Sequence, residues 1–244
     1  MAEQNTGSIS LNKYISGTGR CSRREADQLI AAGRVLLNGN IARPGNRVSP
    51  GDEVLLDGAP IQEADKPAPI YLALNKPVGI TCTTDRSIPG NIIDHLNFPE
   101  RIFPIGRLDK ASEGLILLTN DGDIVNKILR AGNQHEKEYI VSVRQAITRD
   151  FVDRMAGGLP ILDTVTQPCT VEQLSRFTFR IVLTQGLNRQ IRRMCQYLGY
   201  EVTSLKRIRI MHLHLGKLKP GQWRRLTAAE AAKLNEVVKD SSKT

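Results

Sequence analysis

The run Ile105-Gly106-Arg107-Leu108-Asp109-Lys110-Ala111-Ser112-Glu113-Gly114-Leu115-Ile116-Leu117-Leu118-Thr119-Asn120-Asp121-Gly122 constrains this chain more than any other stretch. A polar turn with one arginine two residues before an aspartate leads directly into an unbroken apolar segment. Such an apolar segment reads as a strand. The sequence thus sets one carboxylate, Asp109, just ahead of an apolar strand. Arg107 beside it favours the charged form of the carboxylate, and an ionised, oriented carboxylate is a competent nucleophile. An isolated Arg-x-Asp is more often a structural ion pair than a catalytic one, so the rest of the chain has to decide.

Around this run the chain reads as mixed α and β. Strands are expected at about Ile70–Leu74, Gly114–Thr119, Lys137–Val143, Thr178–Thr184 and Val202–Ile210. Helices are expected at about Asp121–Ala131, Thr148–Met155, Asn188–Leu198 and Ala228–Val238, the last opened by a capping box, Thr227 with Glu230. There is no regular βαβ alternation, so the class is α+β with a largely antiparallel sheet. Ahead of it, residues 9–65 have their own pattern. A short helix is expected at Leu11–Ser16. A second opens on the capping box Ser22–Glu25 and stops at Gly33. A hairpin around Asn38-Gly39 follows, then a strand at Glu53–Leu56. The polar, Pro-rich stretch Glu63–Pro69 is a linker, which gives a first domain at 9–65, a linker at 66–69 and a second domain at 70–240.

Charge narrows the partner. The formal net charge is +9, and the stretch from Gly186 to Arg225 holds ten Lys and Arg against one acid, Glu201. A basic surface of that kind attracts polyanions, nucleic acid first among them. In the first segment Lys13, Arg23 and Arg24 add to a basic run that reaches Ser49. Arginines on the first turn of a helix oppose its dipole, so phosphate contact explains them better than helix stability. On the helix expected from Asn188, Ile191, Met194, Cys195 and Leu198 form a core stripe. Arg189, Arg192 and Arg193 form a stripe beside it.

Other classes are set aside. Cys21, Cys82, Cys169 and Cys195 are scattered and form no C-x-x-C pair, against a zinc cage or disulfide framework. His212 and His214 could share a strand face but have no third ligand in view. No phosphate-binding glycine loop or dinucleotide fingerprint is present, so no metal or cofactor is expected. No segment has the apolar length of a membrane span. The start, MAEQNTGSIS, has no basic or apolar signal pattern, so a cytoplasmic monomer is expected.

The long string around Asp109 resembles the catalytic motif of the pseudouridine synthases, in the rRNA-modifying branch with the small-subunit enzyme and the large-subunit enzymes B, E and F. LNKYIS, CSRREADQLIAAGRVLLNG and VSPGDEV resemble the S4 RNA-binding domain. The resemblance runs from about Leu11 to Leu226. The segments Ala131–Tyr139 and Gln185–Arg189 look closest to the F enzymes among the large-subunit group. It implies an S4-like domain followed by a pseudouridine synthase domain, with Asp109 as nucleophile and no cofactor. It implies Tyr139 as the active-site tyrosine packed on the target uracil, and Arg192 as the basic residue set against the carboxylate, with Arg107 completing the catalytic set. Leu108, Lys110, Arg189, Gln190, Ile191 and Arg193 would meet RNA, with Arg189 and Arg193 free for phosphates. The expected partner is structured RNA, 23S rRNA with a tRNA stem-loop as a second candidate.

Two other classes compete. A non-catalytic RNA-binding or ribosome-assembly protein would have no reason to keep Asp109, Tyr139 and Arg192 together. A glycosidase would need two carboxylates across the scissile bond, for which Glu113 and Asp121 are the nominal second acids.

Overall fold

A computed structural model describes residues 7–62 and 67–241. Residues 63–66 of the expected linker lie outside the described residues. The chain divides into two units, one ending at Pro69 and the other beginning at Ile70.

The first unit contains β1 (Ile9–Ser10), α1 (Leu11–Gly17), α2 (Arg23–Ala31), β2 (Val35–Leu37), β3 (Asn40–Ile41), β4 (Arg47–Val48), β5 (Val54–Leu56) and β6 (Ala59–Ile61). The capping box is present in both directions at α2: Ser22 Oγ accepts from Glu25 N, and the Glu25 side chain accepts from Ser22 N. Asn38 and Gly39 take positive φ, 51° and 78°, which a tight two-residue hairpin turn demands. Strands pair in the order β3-β2-β5-β6, and β1 pairs β4. Leu11, Ile15, Ala26, Ile30, Val35, Val48, Val54 and Ile61 form a small core of their own.

The second unit contains β7 (Tyr71–Lys76), α3 (Ile92–Leu96), β8 (Phe103–Ile105), β9 (Glu113–Thr119), α4 (Gly122–Leu129), β10 (Lys137–Val143), α5 (Arg149–Gly157), β11 (Pro160–Ile161), β12 (Thr164–Val165), β13 (Thr170–Ser175), β14 (Thr178–Leu183), α6 (Gln190–Tyr197), β15 (Val202–Ile210), β16 (Leu213–His214), β17 (Trp223–Arg225) and α7 (Ala228–Val237). Its sheet runs β13-β14-β10-β15-β9-β7-β17, with β16 beside β15 and β8 beside β9. The β15–β9 pair is parallel, and the other strand pairs described in this sheet are antiparallel. The apolar run that follows Asp109 in sequence becomes β9, which is covered on both faces. Ile116 and Leu118 pack with Leu72, Leu74 and Ile92 of α3 on one face. Leu115 and Leu117 pack with Ile124 and Ile128 of α4 and Leu234 of α7 on the other.

The far half of the sheet is two-sided. Val141, Phe179, Ile181 and Leu205 pack under Phe151 of α5 and under Ile191, Met194 and Cys195 of α6. The opposite face carries a ladder of charges: Glu172, Arg180, Glu138 and Arg209 join across four strands at 2.7, 3.4 and 2.6 Å. Tyr139 packs against the α6-covered core and the α3-covered core alike, so it stands where the two meet.

Candidate active site

The loop 106–112 joins β8 to β9 at the end of β9 where β15 comes alongside. β9 pairs with β15 through Glu113 and Gly114, and with β8 through Leu117 to Thr119. Gly114 makes that approach possible. Its φ is +116°, and a Cβ there would overlap Arg207 O and sit 2.6 Å from Arg207 N. Gly106 (φ +78°) turns the chain out of β8, and a Cβ would press within 2.8 Å of Leu129.

The loop is then fixed from several directions. Leu108 is buried among the α3-side core residues, and its amide donates to Cys82 Sγ at 3.4 Å. Gly79 N donates to Lys110 O at 2.8 Å, and Ser112 N closes a turn onto Asp109 O at 2.9 Å. Arg192 Nη2 donates to Ala111 O at 3.0 Å and to Ser112 Oγ at 3.1 Å. A carboxylate on such a loop is held in place before any ligand arrives, which is what precise positioning of a reacting group requires.

Asp109 is 31% exposed, and Arg192 Nε lies 3.7 Å from its Oδ2. Arg189 Nη1 is 3.9 Å from the same oxygen. Burial pulls the Arg192 guanidinium below its usual value, with Asp109 opposing that shift. Its Nε is buried and has no hydrogen-bond partner, so its charge is directed at the carboxylate without being consumed by a short bond. Arg107 does not supply this cation. It is exposed, lines the same cleft, and makes no ion pair with Asp109 among the described residues. The turn after Gly106 sends Leu108 into the core and leaves Arg107 on the outside, so sequence neighbours point apart.

The cleft offers about 460 Å³ of space open to solvent. Arg107, Leu108, Asp109, Ser112, Tyr139, Gln185, Leu187, Arg189, Gln190, Ile191 and Arg192 are among its lining residues, and among the described residues Asp109 is the one carboxylate there. Glu113 is bound to Lys206 at 2.6 Å. Asp121 caps α4 and accepts from Tyr71 Oη at 3.1 Å. Neither nominal second acid lines the cleft.

α6 brings its residues to the cleft in an unexpected way. The helix starts at Gln190, and Arg189 is its N-cap in left-handed conformation (φ 52°) with no side-chain cap. Gln190 and Ile191 are buried and form part of the cleft wall. Gln190 Oε1 accepts from Leu187 N at 2.9 Å. Arg193 Nε donates to Asn188 O at 3.0 Å and its Nη2 to Asn188 Oδ1 at 3.3 Å, which leaves its charge without a carboxylate partner among the described residues. Arg189 stands near Asp109 with about half of its side chain exposed. Lys110 is exposed beside the cleft.

The basic stretch from Gly186 to Arg225 is not one basic surface. Lys206 pairs with Glu113, Arg209 with Glu136 and Glu138, Arg224 with Glu230, and Arg225 with Glu100, while Arg207 is buried. Strand pairing carries Glu113 to Lys206 and Glu138 to Arg209 from far along the chain, which a linear charge count cannot register. In the first unit Arg23 and Arg24 are exposed at the start of α2, and Lys13 is partly buried on α1.

Sequence reading missed Arg207, Ser112, Lys76 and Gln185. Lys76 is fully buried and donates to Pro77 O at 2.7 Å and Ile80 O at 2.9 Å. Burial lowers its pKa, with Asp109 among the groups opposing that. A lysine at the end of an apolar strand, in Asn75-Lys76-Pro77, was the available signal. Among the described residues no group of three His, Cys, Asp or Glu could hold a metal ion.

The family model described as RNA pseudouridylate synthase matches residues 70–197. The S4 domain model matches residues 10–54. The dual-specificity RNA pseudouridine synthase RluF of Escherichia coli K12 is 54% identical over 235 residues, covering 96% of this chain and 81% of that protein. The ribosomal large subunit pseudouridine synthase B of Bacillus subtilis is 34% identical over 233 residues, 92% of this chain and 94% of that one. A crystal structure of a pseudouridylate synthase superposes with a TM-score of 0.69 at 28% identity, covering 93% of this chain and 99% of the other.

Proposed function

Because the chain belongs to the RNA pseudouridine synthase family and carries an S4 RNA-binding domain, we propose that it isomerises one uridine of 23S rRNA, with Asp109 as the nucleophile. A relative described as dual-specific supports a second RNA substrate, for which a tRNA stem-loop is proposed. The enzyme is proposed to act as a cytoplasmic monomer. Among the described residues no helix is long and apolar enough to cross a membrane.

The observation that carries the reading is a single carboxylate among the described residues of the cleft, held between Arg192 and Arg189 on a fixed loop. In the isomerisation the C1′–N1 bond breaks, the base turns, and a C1′–C5 bond forms. C5 then gives up its proton and N1 takes one, so the product has the substrate's composition. As C1′–N1 breaks, the sugar carbon becomes electron-deficient, and Asp109 is the group in the cleft that can meet it. Arg192 and Arg189 set positive charge beside the carboxylate and aim it. Tyr139 offers a flat face for the uracil ring. The target base has to leave its stack to enter, and Arg107 and Lys110 stand outside where flanking phosphates would pass. Lys13, Arg23 and Arg24 of the S4 domain are proposed to add phosphate contacts that take no part in the chemistry.

A glycosidase reading fails on the second carboxylate it would need, since neither Glu113 nor Asp121 lines the cleft. RNA tritiated at uracil C5 tests the assignment. Tritium released to water with no free uracil supports isomerisation. Free uracil would mean glycosidase action, and neither product would mean a binding protein.

A further inference from the structure

Arg207 is 4% exposed, and its chemistry does not match a structural ion pair. Its Nε donates to Leu115 O at 2.7 Å, its Nη1 reaches Tyr139 Oη at 3.5 Å, and its Nη2 is buried without a partner. Its guanidinium carbon lies 5.9 Å from the centroid of the Tyr139 ring. Among the described residues it makes no ion pair with any carboxylate. A guanidinium never loses its proton and carries donors alone. A buried charge is ordinarily paired, so an unpaired one with an unused donor calls for an explanation.

The backbone goes to some length to put it there. β15 and β10 slip register between Glu138 and Tyr139: Glu138 stands opposite Arg209, yet Tyr139 stands opposite Arg207. One residue of β15 is extra at that point. Without the bulge, Arg207 and Arg209 would fall on one face, two residues apart. With it, Arg209 joins Glu138 and Glu136 on the outer face, while Arg207 turns under Tyr139. Bulges beside active sites commonly re-aim a side chain in this way. Gly114 is opposite Arg207 on the other neighbour, and its missing Cβ is what leaves room for the Arg207 backbone.

Resting on the proposed function, we infer that Arg207 is a positioning residue for Tyr139, holding the phenol against the cleft and stabilising negative charge on its oxygen when Tyr139 removes the C5 proton. The step balances as follows. After C1′ has joined C5, that carbon still bears its hydrogen. The Tyr139 oxygen takes it as a proton while its own hydroxyl proton passes to solvent, the C5–H electron pair forms the C5–C6 double bond, and the C6–N1 double bond gives its pair to N1, which takes a proton from solvent. Arg207 faces the phenol oxygen with a positive charge that no protein carboxylate among the described residues neutralises, so it is placed to stabilise negative charge that develops on that oxygen during the transfer. Because it can only donate, it also fixes which lone pair of Tyr139 is occupied and leaves the others toward the cleft.

The test is a double-mutant cycle with Tyr139→Phe and Arg207→Lys, both conservative enough to keep the core, read by single-turnover pseudouridine formation. Tyr139→Phe is expected to slow the reaction about 10²-fold, the scale of general base catalysis. Arg207→Lys is expected to slow it about tenfold in the native background and less than about twofold on top of Tyr139→Phe, since the residue acts through the phenol. With RNA deuterated at uracil C5, Arg207→Lys should show a larger isotope effect than the unaltered enzyme. Equal losses in both backgrounds, or a slowed Arg207→Lys with no change in isotope effect, would overturn the inference. If the unaltered enzyme forms no pseudouridine, the premise falls and the inference with it.

Discussion

Arg192 Nε faces Asp109 Oδ2 at 3.7 Å while Nη2 of the same guanidinium holds Ala111 O and Ser112 Oγ. One side chain therefore sets both the charge beside the carboxylate and the shape of the loop that carries it. α6 anchors that side chain through Ile191, Met194 and Cys195, which lie in the core on the adjacent face. Positioning of Asp109 is thus tied to packing on another element of the same unit.

Arg192→Ala is expected to lower the single-turnover rate by about 10²–10³-fold, the scale of losing an electrostatic partner in a catalytic site, with a smaller change in RNA affinity. Arg193→Ala, which breaks contacts with Asn188, should change the rate by less than about threefold, as exposed polar contacts are individually weak. Single-turnover rate constants at saturating RNA check both. Equal effects from the two changes would contradict the division of roles.

Gly114→Ala should destabilise the second unit by more than about 4 kcal/mol or prevent its folding, since both φ and the Arg207 backbone forbid a Cβ. Urea unfolding followed by circular dichroism measures this. A loss under about 1 kcal/mol, the ordinary cost of a point change, would mean that β9 and β15 can separate without penalty.

Glu230 accepts from Arg224 and from Thr227 N at the start of α7, and these hydrogen bonds bring its carboxyl down to about 2. A carboxyl depressed in the folded state adds stability above its unfolded value of about 4.5, and that stability disappears as pH falls through about 2. Glu230→Gln should therefore lower stability by about 1–3 kcal/mol at pH 7, with the gap to the native chain closing between about pH 4.5 and 2. Denaturant melts at several pH values read it. A gap independent of pH would assign the effect to packing instead.

Local rules were legible in the sequence where the signal was itself local. The capping boxes at Ser22 and Thr227, the Asn38-Gly39 turn and the α6 core stripe all depend on residues within one or two turns of each other. The strand after Asp109 was readable from its unbroken apolar run. What escaped was set by pairing between distant strands. The β10–β15 bulge decides that Arg207 lies under Tyr139 and Arg209 on the outer face, although strand alternation in Lys-Arg-Ile-Arg-Ile would put both arginines on one face. The cation beside Asp109 comes from α6, far along the chain, and not from Arg107 two residues back. The five-residue helix α3 and the exposed edge strand β13 are too short or too polar to leave a periodic signature.

Asp109→Asn tests the central claim most directly. The amide keeps the size and a hydrogen-bonding oxygen, so fold and RNA surface should persist, but it is a very poor nucleophile. Pseudouridine formation on 23S rRNA, read as tritium released from uracil C5 in a single turnover, should fall by at least about 10⁴-fold, the scale of removing a covalent catalyst. RNA affinity should stay the same or rise slightly, since a negative charge facing phosphates is gone. An Asp109→Asn enzyme that releases tritium at near the unaltered rate would contradict the assignment of Asp109 as the nucleophile.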